Sequence, residues 1–168
     1  MSLIGFLALF LFVACADPVH DAAVDALGGE APGVPPGPDH RPGQPCLTCH
    51  GGQGPASFEM AFGGTVFAYL ASNQPAGGAT IHLLDGAQHT FTTQTNCAGN
   101  FWVPKPAFEP TYPVQAAVQW ASATEVMRTE MRLNGDCNSC HVQPETGASP
   151  GHTWILAPST PVPEVSCR

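Results

Sequence analysis

Positive charge is scarce in this chain. Five Lys plus Arg stand against 13 Asp plus Glu in 168 residues, a formal net charge of −8. Displacing counterions from a run of phosphates takes clustered cations, so nucleic acid is not expected as a partner. Charged residues of either sign amount to only 11%, whereas Gly and Pro number 18 each. That mix disfavours long solvent-facing helices and favours short strands joined by turns. Apolar residues at 43% suffice for a modest core and are too many for general disorder. No catalytic triad, phosphate loop or paired-carboxylate motif is visible, and Glu59, Glu125 and Glu130 stand isolated in sequence. The apolar stretch Leu3–Val13, broken only by Gly5, is too short to span a bilayer and has the length of a signal-peptide core.

Residues 1–15 therefore read as an export signal. Phe12-Val13-Ala14-Cys15 resembles a bacterial lipobox, in which the Cys is acylated after cleavage. The resemblance implies lipidation of Cys15 and a membrane anchor, with the protein in the periplasm or on the cell surface and attached to the outer membrane. Leu11 stands one place early for that pattern and no Lys or Arg precedes the run, so an ordinary signal peptide cut after Cys15 stays open. Residues 16–44 read as a tether, because Ala31-Pro32-Gly33-Val34-Pro35-Pro36-Gly37-Pro38 holds neither a helix nor a central strand. An extended stalk is expected there.

From about 62 to 133 the pattern turns to short strands. Thr65–Leu70, Thr80–Leu84, His89–Thr95, Phe101–Val103, Val114–Trp120 and Val126–Leu133 carry β-type residues, several of them alternating and separated by turn signals such as Asp85-Gly86 and Gly99-Asn100. The expected fold is mainly β, a small sandwich. Gly63-Gly64-Thr65-Val66, Pro75-Ala76-Gly77-Gly78-Ala79-Thr80-Ile81 and Thr95-Asn96-Cys97-Ala98-Gly99-Asn100-Phe101 resemble carboxypeptidase-regulatory-like (transthyretin-like) modules. That resemblance implies an Ig-like sandwich serving as a binding or scaffold unit, with no chemistry of its own.

Chemistry resides in two motifs, Cys46-Leu47-Thr48-Cys49-His50 and Cys137-Asn138-Ser139-Cys140-His141. Two thiols one turn apart lie over one edge of a porphyrin and reach its two vinyl groups, and the following His meets the iron from the same side. With seven Cys and seven His in the chain, one such motif arises by chance with probability on the order of 0.01, and two with roughly 0.0001. Zinc held by two Cys-x-x-Cys pairs is the rival reading, but here the pairs lie far apart and each is followed directly by His. A redox dithiol leaves both His residues without a role. Two haem c groups are therefore expected, bound through Cys46, Cys49, Cys137 and Cys140, with His50 and His141 as the proximal ligands.

A sixth ligand for each iron is expected from His40 and His152, which sit one short Gly/Pro-containing loop from their motifs and can pass close to a flat cofactor. Met127, Met131, His82 and His89 are held in reserve. His20 reads as a solvated tether residue, and Met60 is a further candidate. Cys97 and Cys167 remain once haem and lipid are counted, and in an oxidising compartment they are expected to pair as a disulfide, two unrelated thiols being the alternative.

The motifs flanking the sandwich, together with Ala61-Phe62-Gly63-Gly64-Thr65-Val66 and Gly135-Asp136, resemble small exported multihaem c-type cytochromes. The resemblance covers 45–157 and implies a dihaem electron-transfer domain working between redox partner proteins, followed by a C-terminal tail at 158–168. A dihaem reductase with an open iron site, and a non-redox surface binding module, are the alternatives.

Overall fold

The computed structural model describes residues 17–30 and 32–164. The signal segment 1–15 with Cys15, and Cys167 in the tail, lie outside the described residues. The chain is mainly β, with two sheets on either side of one core.

Residues 16–44, expected to run extended, contain a helix, α1 (Pro18–Ala26). Asp17 caps it, its carboxylate accepting from the Val19 and His20 N–H groups at 3.1 Å each. Pro18 follows at the first helical position, where its missing N–H costs nothing. Gly28, at φ 70°, follows the last turn. The compositional argument about Pro and Gly applied to 31–38 and was extended too far upstream.

One sheet has the order β3-β2-β5-β6, all antiparallel: β2 (Thr80–Asp85), β3 (Thr90–Gln94), β5 (Val114–Trp120) and β6 (Ala123–Val126). Ile81, Leu83, Val114, Val118 and Trp120 turn inward at alternate positions. The Trp120 indole N–H donates to Gly77 O at 3.0 Å. The strand expected over 126–133 is instead the shorter β6, placed earlier. Beyond it the Met127 N–H donates to Ala116 O at 2.9 Å, and Met131 bridges back to Val114.

β1 (Met60–Phe67) lies at the centre of the other sheet. β4 (Asn100–Pro104) pairs antiparallel along one edge. The other edge is shared by two short parallel strands, β7 (Gly135–Asp136) beside Phe62–Gly63 and β8 (Thr153–Trp154) beside Val66–Phe67. The chain on both sides of the second Cys-x-x-Cys-His motif is thus held against β1. Six consecutive residues of β1, from Phe62 to Phe67, are buried. Phe62 and Val66 belong to the core with Val103, Ile81 and Leu83. The alternating positions Gly63, Thr65 and Phe67 face away from it.

Candidate cofactor site

Each motif forms a short helix, α2 (Cys46–His50) and α3 (Cys137–Cys140). Neither has a side-chain cap of its own. Asp136 stands at the N-cap position of α3 without a side-chain bond to that helix, and its Oδ2 instead accepts from the Leu47 N–H of α2 at 3.1 Å. Burial pushes this carboxyl up to about 6, against the lowering effect of the backbone N–H groups of Leu47, Cys46, Ser139 and Asn138.

The two helices come together because β1 offers them two consecutive glycines. A Cβ placed on Gly63 would stand 2.7 Å from Cys46 Cβ, and one on Gly64 would stand 2.8 Å from Cys137 Cβ. No side chain fits at either position, so the motif cysteines rest on bare backbone. Burial pushes both thiols up to about 12, with Asp136 adding to the effect on Cys46 and Cys46 adding to that on Cys137. Cys46, Cys49, Cys137 and Cys140 are free thiols, the form that adds across a vinyl group.

Both motif histidines are oriented the same way. His50 Nδ1 lies 3.1 Å from Phe58 O, and His141 Nδ1 lies 3.1 Å from Gly151 O. A carbonyl only accepts, so Nδ1 carries the proton and Nε2 keeps its lone pair. Burial holds His50 below its ordinary value, with the Phe58 carbonyl opposing and His40 reinforcing. Burial likewise lowers His141, with Gly151 O opposing and His152 reinforcing. Burial thus favours the neutral form of both rings, the form in which imidazole binds a metal.

His40 stands directly opposite His50. Their ring centroids are 6.0 Å apart and their planes differ by 12°. That is too far for van der Waals stacking, whose contact distance is about 3.5–4.0 Å. It leaves room for a metal-bearing group that both imidazoles would hold. His40 Nδ1 is 3.4 Å from the Gly37 N–H, long for a hydrogen bond and readily given up when Nε2 takes a metal. Phe58 tilts against the His50 ring at 4.5 Å. The residues here fit an axially ligated haem.

The second motif repeats part of this arrangement. His152 is near enough to His141 to depress its protonation. Its ring stacks on Phe67 at 4.2 Å and 16°, and its buried Nδ1 has no hydrogen-bond partner. It lines a cavity of about 370 Å³ with Pro42, Phe67, Asn73, Pro75 and Ala98. Among the described residues, no three His, Cys, Asp or Glu side chains converge to hold a lone metal ion.

The reserve candidates sit elsewhere. His82 lies beside Gln119 Oε1 at 3.3 Å on the other sheet, and His89 Nδ1 is 3.3 Å from Asp85 Oδ2. Met131 is buried in the core with Met127 packed against it, so both serve packing. Met60 Sδ would lie 3.3 Å from a Cβ on Gly63, which puts it beside the first motif. His20, read as solvated, has a buried Nε2 without a partner. Cys97 is disulfide-bonded; Cys167, its expected partner, is outside the described residues.

Sequence reasoning missed Asp136, Asn138, Thr65 and Asn100, whose polar side chains are buried around the motifs. The available signal was the period of two in Gly63-x-Thr65-x-Phe67 beside a Cys-x-x-Cys-His. No family model matches the chain, and no curated protein or solved structure matches it either.

Proposed function

We propose that this chain is an exported dihaem c-type cytochrome that relays electrons between redox partner proteins. The observation that carries the reading is the facing His40–His50 pair at 6.0 Å, next to a Cys-x-x-Cys pair whose thiols stand free. A bound haem supplies an iron that changes by one electron. The chain's residues do the rest. Cys46 and Cys49, and Cys137 and Cys140, would hold each haem covalently through its vinyl groups. His50 and His141 present Nε2, held in that tautomer by the Phe58 and Gly151 carbonyls, and would bind the irons. His40 and His152 would supply a further nitrogen to each. A haem held by two imidazoles would have a lower potential than one with a Met ligand.

The relay role is supported by the shared seat of the motifs. Cys46 and Cys137 sit against consecutive residues of β1, and Cys46 is near enough to raise the Cys137 thiol, which supports haems attached there being close to each other. The sandwich acts as scaffold, in keeping with the transthyretin-like modules it resembles. The net charge of −8 favours partners with a basic docking face. An export signal ending in a lipid-modified Cys15 places the protein in the periplasm or on the cell surface, anchored to the outer membrane.

Expression with c-type maturation machinery tests the proposal. Intact mass is expected to show two haem additions that survive acid–acetone extraction, with a low-spin reduced-minus-oxidised spectrum. An unchanged apo mass, or bound zinc, overturns it. A high-spin component in the wild-type protein replaces the carrier with a reductase.

A further inference from the structure

The segment carrying His40 has no regular structure of its own, yet four of its backbone groups are held by buried side chains. Asn96 Nδ2 donates to Pro38 O at 2.6 Å, and Asn100, Thr65 and Asn138 hold the rest. Asn100 Nδ2 donates to His40 O at 2.8 Å and to Pro38 O at 3.3 Å. Thr65 Oγ1 accepts from the Gly43 N–H at 2.8 Å, and Asn138 Nδ2 donates to Gln44 O at 2.8 Å. Thr65, Asn100 and Asn138 are bonded to one another. Thr65 Oγ1 donates to Asn100 Oδ1 at 2.8 Å and accepts from Asn138 Nδ2 at 3.1 Å, while Asn138 Oδ1 accepts from the Thr65 N–H at 3.1 Å. The Thr65 hydroxyl is thus at full capacity, with one bond given and two taken. Thr65 and Asn138 are each 1% exposed and Asn100 7%.

We propose that Thr65, Asn100 and Asn138 are positioning residues that hold His40 on the first haem, so that the second attachment motif supports the first haem's axial ligation. The inference rests on the bis-histidine reading above. Its reason is local. His40 must stay opposite His50 without help from a helix or strand, and a ligand on a loose loop would leave the iron for part of the time. A buried network fixes the loop at residues 38, 40, 43 and 44, on both sides of the ligand, in surroundings where an unmade bond is costly. Asn138 lies between the cysteines of the second motif, which gives that position a task beyond spacing two thiols. His152 is held differently, by β8 pairing and by stacking on Phe67.

The test uses the matured full chain and three variants. Thr65→Val keeps the shape and removes the hydroxyl; Thr65→Ser keeps the hydroxyl; His40→Ala removes the ligand. Thr65→Val is expected to give a ferric high-spin signal rising toward one haem per chain, and ferrous CO binding about tenfold tighter than wild type at that haem. Thr65→Ser is expected to behave as wild type and His40→Ala to show the full effect. Adding His152→Ala to Thr65→Val is expected to raise the signal toward two haems. If Thr65→Val stays low-spin and closed to CO while His40→Ala opens, the clamp is overturned and the bis-histidine reading stands. If His40→Ala also stays low-spin, the ligand assignment is overturned as well. Should Thr65→Val fail to fold by circular dichroism, Asn100→Ser, which removes the link to His40 O, is read by the same criteria.

Discussion

A single methyl group on β1 puts the glycine cradle under test. In Gly63→Ala the new Cβ would lie 2.7 Å from Cys46 Cβ and 3.2 Å from its Sγ. Carbon atoms rest at about 3.5–4.0 Å, so close to 1 Å must be found. Cys46 has little freedom to yield, because its Cβ is next to the helix backbone and its thiol is largely buried. In Gly64→Ala the Cβ would lie 2.8 Å from Cys137 Cβ and 2.8 Å from Phe101 Cε1. Turning the phenyl ring relieves only one of these contacts. Overpacking of this kind costs about 1–3 kcal/mol. For a chain of this size each kcal/mol moves Tm by about 2–4 °C, which gives a loss of about 2–12 °C. Gly147→Ala is the control, since a Cβ there meets nothing within 4 Å; its Tm is expected to stay within about 2 °C of wild type. Thermal unfolding of the three matured variants by circular dichroism measures the differences. The ferric spectrum is expected to show high-spin character in the first two and none in the control. Melting of Gly63→Ala and Gly64→Ala at the control temperature would refute the claim that the cysteines rest on bare backbone.

Asp136→Asn is expected to change the pH dependence of stability. The carboxyl is raised to about 6 in the fold, against about 3.9 unfolded, so the native state holds the proton more tightly and stability falls as pH rises from about 4 through 6. The two-unit shift corresponds to about 3 kcal/mol by pH 7. Urea unfolding at pH 4.5 and pH 7 checks this, and a wild type that gains on the Asn variant as pH rises contradicts it. His152→Ala is expected to make one haem high-spin and to leave the His40–His50 haem unchanged; two altered haems, or none, would count against the pairing. Cys15→Ser is expected to move the protein from the membrane to the soluble fraction, and identical detergent partitioning of both forms argues against the anchor.

What was legible in the sequence was whatever chemistry or periodicity could be stated over a few consecutive residues. A Cys-x-x-Cys-His motif is complete within five consecutive positions, so it is readable without the fold. The strands at 80–85 and 114–120 declared themselves by alternation, since one face of each is buried. The mainly β architecture followed. Helix α1 was missed because a neighbouring Pro/Gly run dominated the segment, although Asp17-Pro18 is a good start signal. The strand expected at 126–133 was misplaced because its alternation is broken by the chain leaving the sheet after Val126.

Only the tertiary structure decided which groups meet across the fold. Short loops made His40 and His152 eligible, but the 6.0 Å spacing of His40 from His50 goes with a loop bound at Pro38, His40, Gly43 and Gln44 by residues 65, 96, 100 and 138. Gly63 and Gly64 looked like a turn or a module signature, and became a seat for two cysteines only when β1 was covered from both sides. Asp136 carried no signal of its own in the sequence, and the fold buries it where its carboxylate accepts from the Leu47 N–H of the other motif helix. Sequence spacing constrains partners a few bonds apart. Contacts between residues 40, 65, 100 and 138 depend on strand register and on how the chain returns after each motif, which a linear pattern does not contain.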